Sequence, residues 1–144
     1  MKAGVTKEPL SLDASIVLSW CFFDEKSNAS DAALNLVSAE GAETFVPSIW
    51  PYEVANALAV AERKKRIFQS DVSLFLELLK NLNIVIDEGG QSRIFSAVLP
   101  IAREYHLSVY DASYLELALR RGLTLATLDN DLKKAAKALK ISVF

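Results

Sequence analysis

Short apolar runs rich in β-branched residues alternate along this chain with longer segments whose apolar positions recur at helical spacing. The apolar runs predict β-strands over residues 10–12, 44–46, 84–86, 123–128 and 141–144. The longer segments predict α-helices over residues 29–40, 48–66, 70–81, 91–105, 111–121 and 131–139. The run over residues 15–23 is apolar all round, so a buried helix and a strand fit it equally well.

Capping and turn residues support this order of elements. Ser27 and Ser70 are of the type that caps helix N-termini, and Pro51 falls in a first helical turn, where proline is tolerated. Gly41 and Gly122 follow two of the helices, at a position that favours glycine. Because strands separated by helices form parallel sheets covered on both faces, the pattern predicts an α/β domain.

Composition narrows the class of protein. The 144 residues are the size of one domain, and 51% hydrophobic with 24% charged residues indicates a globular chain. Cys21 and His106 are the only cysteine and histidine, which excludes a disulfide framework within one chain, a multi-cysteine zinc site and a catalytic histidine pair. The polar start shows no signal peptide, and no apolar run reaches the roughly 18 residues of a membrane span. We therefore expect a cytoplasmic protein without a membrane partner.

Acidic residues stand where predicted strands end or where helices begin. Asp13 closes the first strand and Asp129 closes the strand over 123–128. Glu53 lies in the first turn of the helix after the second strand, and Asp111 opens a helix. Ligand sites of parallel sheets lie outside the carboxyl ends of the strands, so adjacent strands would bring these four carboxylates into one pocket.

A pocket of four acids indicates a divalent cation. Neighbouring carboxylates disfavour one another's charged state, and a bound cation neutralises them. All-oxygen surroundings suit Mg²⁺ or Mn²⁺, and Mg²⁺ takes only one or two direct carboxylates and keeps several waters. For any single acid at a helix start, such as Asp111 or Asp131, helix capping is the alternative.

Polar side chains accompany these acids. Thr127 lies two residues before Asp129, so both point to the same face of an extended segment, where the hydroxyl could orient the carboxylate or donate to a phosphate. Ser15 stands two residues after the first acid and could act in the same way. Asn56 lies three residues after the glutamate, on the same helix face.

Four segments together resemble the signature segments of PIN-domain ribonucleases, most of all the VapC toxins of prokaryotic toxin–antitoxin pairs. They are Leu12-Asp13-Ala14-Ser15, Glu53-Val54-Ala55-Asn56, Tyr110-Asp111-Ala112-Ser113-Tyr114 and Ala126-Thr127-Leu128-Asp129. The resemblance implies a PIN domain over residues 10–144, preceded by an N-terminal extension over residues 1–9. It also implies a three-layer α/β/α fold with a central parallel sheet.

The resemblance implies a catalytic site as well. The acids of the family correspond to Asp13, Glu53, Asp111 and Asp129, which would bind Mg²⁺ or Mn²⁺. The hydroxyl of the family's last segment corresponds to Thr127, and Asp131 is a further candidate partner of the metal or its waters. Implied substrates are RNAs, among them structured ones such as tRNA. Implied partners are a second copy in a homodimer and a VapB-like antitoxin.

Such a site predicts hydrolysis by water. A metal-activated water attacks the phosphorus and a carboxylate takes its proton, which leaves 5′-phosphate and 3′-hydroxyl ends. Attack by the 2′-hydroxyl of the RNA usually needs a histidine pair, which a chain with one histidine lacks.

The charge of the chain bears on how RNA would be bound. A formal net charge of −2, from 16 basic and 18 acidic residues, argues against a strongly basic nucleic-acid module. Contacts would therefore come from local patches or from bound metal. Candidate RNA-contacting residues are Arg63, Lys64, Lys65, Arg120 and Arg121. The alternative is that they are solvated helix ends.

Two other classes of function stay open on the sequence. One is a phosphoacceptor or phosphohydrolase α/β domain built on a strand-end aspartate, although Ser15 stands where haloacid-dehalogenase-like enzymes carry a second aspartate. The other is a catalytically silent PIN module whose acids receive basic residues of a partner. Nuclease assays separate both from an active ribonuclease.

Overall fold

The fold is built around one parallel β-sheet. A computed structural model describes residues 9–144, so all but Pro9 of the predicted extension over residues 1–9 lies outside the described residues. The strands are β1 (Leu10–Leu12), β2 (Thr44–Pro47), β3 (Ile84–Asp87) and β4 (Thr124–Ala126). They pair in the order β3-β2-β1-β4, and every pairing is parallel, as predicted.

Helices connect the strands and cover the sheet in three α/β/α layers. They are α1 (Ala14–Cys21), α2 (Asn28–Ser38), α3 (Trp50–Arg63), α4 (Gln69–Lys80), α5 (Leu99–Tyr105), α6 (Val109–Arg121) and α7 (Asn130–Ala138). Short 3₁₀ turns at Phe23–Glu25 and Gln91–Arg93 and a π-helical turn at Ile94–Val98 complete the described elements. No helix within residues 9–144 is long and apolar enough to cross a membrane.

Most of the ambiguous run over residues 15–23 lies in helix α1, which ends at Cys21, whereas Phe23 is exposed in the following turn. Ile16 and Val17 are fully buried, and α1 packs against α2, α3 and α4, which explains why the helical part of the run is apolar. The indole nitrogen of Trp20 donates a 2.8 Å hydrogen bond to the backbone carbonyl of Ser30 and so ties α1 to α2. Packing, rather than local periodicity, therefore decides this element.

Three predicted details differ from the structure. Ser70 does not cap α4, because Phe68 precedes the helix and the Asp71 carboxylate accepts its backbone N–H at 3.3 Å. The predicted helix over 91–105 begins irregularly, and Pro100, which has no N–H to donate, lies in the first turn of α5. The predicted strand over 141–144 contributes one parallel bridge, between Leu125 and Val143.

The strand order defines where a site can form. The chain runs outward from β1 through β2 to β3, and then returns so that β4 lies on the other side of β1. In open parallel sheets, ligands bind outside the carboxyl ends of the strands at such a reversal. Asp13 directly follows β1 and Thr127 directly follows β4, so both stand at this point.

Candidate active site

Asp13 is the buried centre of the site. Its backbone N–H donates to the carbonyl of Ala126 at 3.0 Å, which joins the ends of β1 and β4. The side chain is almost fully buried, and its Oδ2 accepts hydrogen bonds from Ser15 Oγ at 2.8 Å and Thr127 Oγ1 at 2.7 Å. Both hydroxyls bind the same oxygen and so hold the carboxylate in one orientation.

The same two hydroxyls also organise the chain after β4. Ser15 Oγ accepts the backbone N–H of Leu128 at 3.1 Å, and Thr127 Oγ1 accepts the backbone N–H of Asp129 at 3.0 Å. Each hydroxyl thus accepts from the β4–α7 connection and donates to the buried carboxylate. Thr127 was predicted to orient the Asp129 carboxylate. In the structure its hydroxyl donates to the Asp13 carboxylate instead.

Asp111 is the third residue of α6, in its first turn, rather than the residue that opens the helix. Ser108 is the N-cap, and its hydroxyl accepts the Asp111 backbone N–H at 3.0 Å, so the Asp111 carboxylate is not needed as a cap. Burial raises the pKa of Asp111 above its usual value, and the negative charges of Asp13, Asp129 and Asp131 raise it further. This coupling indicates that Asp111 lies among the other acids.

Glu53 approaches the same acids from α3. Tyr114, a fully buried residue of α6, donates its hydroxyl to Glu53 Oε1 at 2.6 Å. Burial raises the pKa of Glu53; the Tyr114 hydrogen bond opposes this, and the charges of Asp13 and Asp111 add to it. Burial and the nearby carboxylates also raise the pKa of the Tyr114 phenol, which stays a protonated donor.

Tyr114 is the residue of this site to which the sequence patterns assigned no role. Its sequence signals are its place in the signature segment over residues 110–114 and its position three residues after Asp111, on the same helix face. Its partner Glu53 is 61 residues away along the chain, so the pairing depends on how α3 and α6 pack.

The remaining candidates lie at the edge of the site. Asp129 caps α7, since its Oδ1 accepts the backbone N–H groups of Asp131 at 2.9 Å and Leu132 at 3.2 Å. Asp131 is exposed in the first turn of that helix. Asn56 is exposed one turn beyond the glutamate of α3, and its side chain has no hydrogen-bond partner among the described residues.

The donor set fits a hydrated hard cation. Within residues 9–144, no three acidic, histidine or cysteine side chains lie close enough together to share one ion. Carboxylates and hydroxyls suit Mg²⁺ or Mn²⁺, and Mg²⁺ needs only one or two direct carboxylates. Asp13 and Asp111, whose charges are mutually coupled, could hold such an ion, with Glu53 and Asp129 acting through water.

The two predicted basic patches differ in whether their side chains form ion pairs within the chain. Arg120 forms ion pairs with Asp87, at the end of β3, and with Glu116 at 2.7 Å, and both carboxylates are buried. Arg121 Nε lies 3.4 Å from Asp87 Oδ1, and its guanidinium stacks 4.4 Å from the Phe45 ring centre. These arginines therefore already have partners in their own chain, and whether they contact RNA stays a prediction.

The other patch, Arg63, Lys64 and Lys65, is exposed at the end of α3. Ten residues separate Glu53 from Arg63, which places this patch about 15 Å along the helix axis from the glutamate. Contact of this patch with RNA also stays a prediction.

We expect Thr127→Val to destabilise the protein by about 1–3 kcal/mol. The valine keeps the shape of the buried side chain but removes one of the two hydroxyls that donate to the Asp13 carboxylate. Urea denaturation followed by tryptophan fluorescence measures the change. Thr127→Ser keeps the hydroxyl and is the matched control; a Val variant with the wild-type urea midpoint would contradict this role.

Known proteins resemble this chain over nearly its whole length. The family model of the PIN domain matches residues 10–138. Ribonuclease VapC3 of Pyrobaculum aerophilum is 27% identical over 130 residues, which cover 90% of this chain and 96% of that protein.

Two crystal structures share the fold. PAE2754 from Pyrobaculum aerophilum superposes with a TM-score of 0.65 at 24% identity, over 92% of this chain and 87% of that one. FitAcB from Neisseria gonorrhoeae superposes with a TM-score of 0.57 at 19% identity, over 94% of this chain and 96% of that one. Together with the match of the family model over residues 10–138, the fold establishes that this chain belongs to the PIN domain family.

Proposed function

We propose that this protein is a metal-dependent endoribonuclease of the VapC toxin type. It hydrolyses phosphodiester bonds of structured RNA such as tRNA and leaves 5′-phosphate and 3′-hydroxyl ends. It acts in the cytoplasm as a homodimer and is neutralised by a cognate VapB-like antitoxin. The observation that carries this proposal is the set of coupled acids around Asp13 at the reversal point of a PIN-domain sheet.

Two further observations support the proposal. The relative named Ribonuclease VapC3 aligns with this chain over 96% of its length. Large apolar side chains are also exposed. Phe68, just before α4, is 74% exposed, and Leu74, on α4, is 72% exposed. Phe95, before α5, is 86% exposed. Contiguous patches of such side chains are typical of surfaces that contact another protein chain.

Mg²⁺ or Mn²⁺ bound at Asp13 and Asp111 would supply water activation and neutralise phosphate charge. The chain's own side chains hold the carboxylates in place, and one of these carboxylates accepts a proton. Ser15 and Thr127 hold Asp13 through Oδ2, and Tyr114 holds Glu53 through Oε1. Because its pKa is raised, Glu53 is suited to take the proton of the attacking water at Oε2.

Incubation of the purified protein with tRNA tests this function. We expect cleavage at one or a few positions in Mg²⁺, loss of cleavage in excess EDTA, and recovery when Mg²⁺ is restored. An exonuclease that requires a 5′-phosphate should degrade the downstream product. Cleavage that persists in EDTA, or products with 2′,3′-cyclic phosphate, would contradict hydrolysis by metal-activated water. A folded protein that binds a partner chain but cleaves no RNA would be a silent PIN module.

A further inference from the structure

A cavity lies beside the acidic site, and Asp131 is among its lining residues. It has a volume of about 390 Å³, within the range of about 300–1,000 Å³ that is usual for small-ligand sites. Its lining residues are Tyr105, His106, Leu107, Asp131, Lys134 and Ala135. Asp131 joins it to the acids, since its backbone N–H binds Asp129 Oδ1 at 2.9 Å and its charge contributes to the raised pKa of Asp111.

The negative charge of the acidic site determines what the adjacent cavity must supply if RNA is to bind. An acidic pocket repels a polyanion, so RNA needs cationic side chains close to the acids. The arginines of the ion pairs have partners already: Arg66 binds Asp24 and Glu25 at 2.7 and 3.0 Å, and Arg120 binds two buried carboxylates. In the part of the chain that the structure describes, no lysine lies within 4.0 Å of a carboxylate oxygen.

Within residues 9–144, Lys134 therefore has no carboxylate oxygen at ion-pair distance, and it lines a cavity next to the acids. It lies on α7 three residues after Asp131, so both project from the same side of the helix. An ammonium group is a compact point charge with three N–H donors, which suits the oxygens of a phosphate. Its partner in the cavity, the imidazole of His106, adds a ring N–H donor.

His106 adopts a backbone conformation that is uncommon outside glycine. It ends α5 with a φ of 55°, in the left-handed region that favours glycine. Gly122 ends α6 in the same conformation, with a φ of 65°. A change of His106 to glycine therefore removes the imidazole at a position whose backbone glycine adopts without strain.

We propose that the cavity between His106 and Lys134 binds an RNA backbone phosphate that neighbours the phosphate to be cleaved. This inference rests on the proposed function and names where the substrate is held. The Lys134 ammonium group and the His106 ring N–H bind the phosphate, and the Tyr105 and Leu107 side chains pack against the attached ribose. Substrate affinity then comes from this cavity, while the acids carry out the reaction.

RNA binding to an inactive background tests the cavity. The probe is a fluorescein-labelled RNA fragment that spans the mapped cleavage site, and its anisotropy is measured with Asp111→Asn protein at increasing KCl. We expect His106→Gly and Lys134→Gln each to weaken binding by about threefold to tenfold. Lys134→Gln should also lower the slope of log affinity against log salt by about 0.7, the contribution of one contact to single-stranded nucleic acid.

Lys80→Gln is the matched control. It removes the same charge from an exposed helix end just before β3, at the opposite edge of the sheet, and should change neither affinity nor slope. In the active background, Lys134→Gln should raise KM and leave kcat unchanged, which a loss of folded protein would not do.

The outcomes separate this inference from the function on which it rests. Cleavage by the wild type together with wild-type affinity and salt slope in both cavity variants would overturn the cavity alone. An equal loss in Lys80→Gln would also overturn it, because the effect would then be a general one of net charge. A wild type that neither binds nor cleaves RNA would overturn the proposed function, and the cavity with it.

Discussion

Replacing Asp111 by asparagine should reduce RNA cleavage about 10²- to 10³-fold, because the cation that would neutralise the developing phosphate charge loses one of its two direct carboxylates. The same change should make the metal-free protein more stable. Burial and the charges of Asp13 and Asp129 disfavour the ionised carboxylate, and a neutral amide removes that repulsion. Activity and folding stability should therefore move in opposite directions.

The pH dependence of stability has a defined sign. The pKa values of Glu53 and Asp111 are raised in the fold, so above the unfolded values near pH 4 the folded state holds more protons. Stability should fall as pH rises from about 4 through the raised values. In urea denaturation with EDTA present, Asp111→Asn should make the free energy of unfolding fall less steeply with pH.

Added Mg²⁺ should raise the free energy of unfolding of the wild type, because a ligand that binds the folded state stabilises it, and should raise that of the variant less.

Asp71→Asn is the matched control for this experiment. Asp71 occupies the same position in the first turn of α4 as Asp111 does in α6, but its carboxylate accepts the Phe68 N–H away from the acids. This variant should cleave RNA at the wild-type rate. Asp111→Asn protein that cleaves at the wild-type rate in Mg²⁺ would contradict the proposed site, and equal loss in both variants would show that helix capping matters instead.

Removing Arg120 should cause the largest loss of stability. Arg120→Met leaves the buried carboxylates of Asp87 and Glu116, with side-chain exposures of 5% and 6%, without their main cation. Breaking a buried ion pair on one side typically costs about 3–5 kcal/mol. Because the guanidinium itself is 20% exposed, we expect a loss of about 3 kcal/mol in urea denaturation at pH 7.

The loss should depend on pH. Burial alone would raise the pKa of Asp87, but the hydrogen bond and charge of Arg120, the Gly89 N–H and Arg121 outweigh burial and lower it. A lowered folded pKa gives stability that is complete above the unfolded value near pH 4 and is lost as pH falls through the folded value. The difference between wild type and Arg120→Met should therefore shrink on acidification to pH 3.

Arg66→Met is the control for a surface ion pair. Arg66 pairs with Asp24 and Glu25, and all three side chains are at least 40% exposed. Exposed ion pairs contribute little to stability, so this variant should stay close to the wild type. Equal losses for Arg66→Met and Arg120→Met would contradict the claim that burial gives the Asp87 cluster its importance.

The local pattern of the sequence was enough to predict the elements and the acids. An apolar run followed at once by an acid is visible in a few consecutive residues, so the end of β1 and the position of Asp13 were predictable. The predicted strand over 123–128 is longer than β4, which ends at Ala126, three residues before Asp129. The predicted parallel sheet and three-layer architecture are confirmed. Local pattern failed at residues 15–23, because apolar residues on every side fit a helix and a strand alike until α2, α3 and α4 surround them.

The tertiary structure decided which side chains meet. The bond from Thr127 to Asp13 spans 114 positions, Tyr114 to Glu53 spans 61, and Arg120 to Asp87 spans 33. The sequence by itself determined the chemistry present, namely many carboxylates, two useful hydroxyls and one histidine, because residue types are local. It could not determine that β4 returns beside β1, or that His106 and Lys134 line one cavity, because such contacts depend on packing between elements distant along the chain.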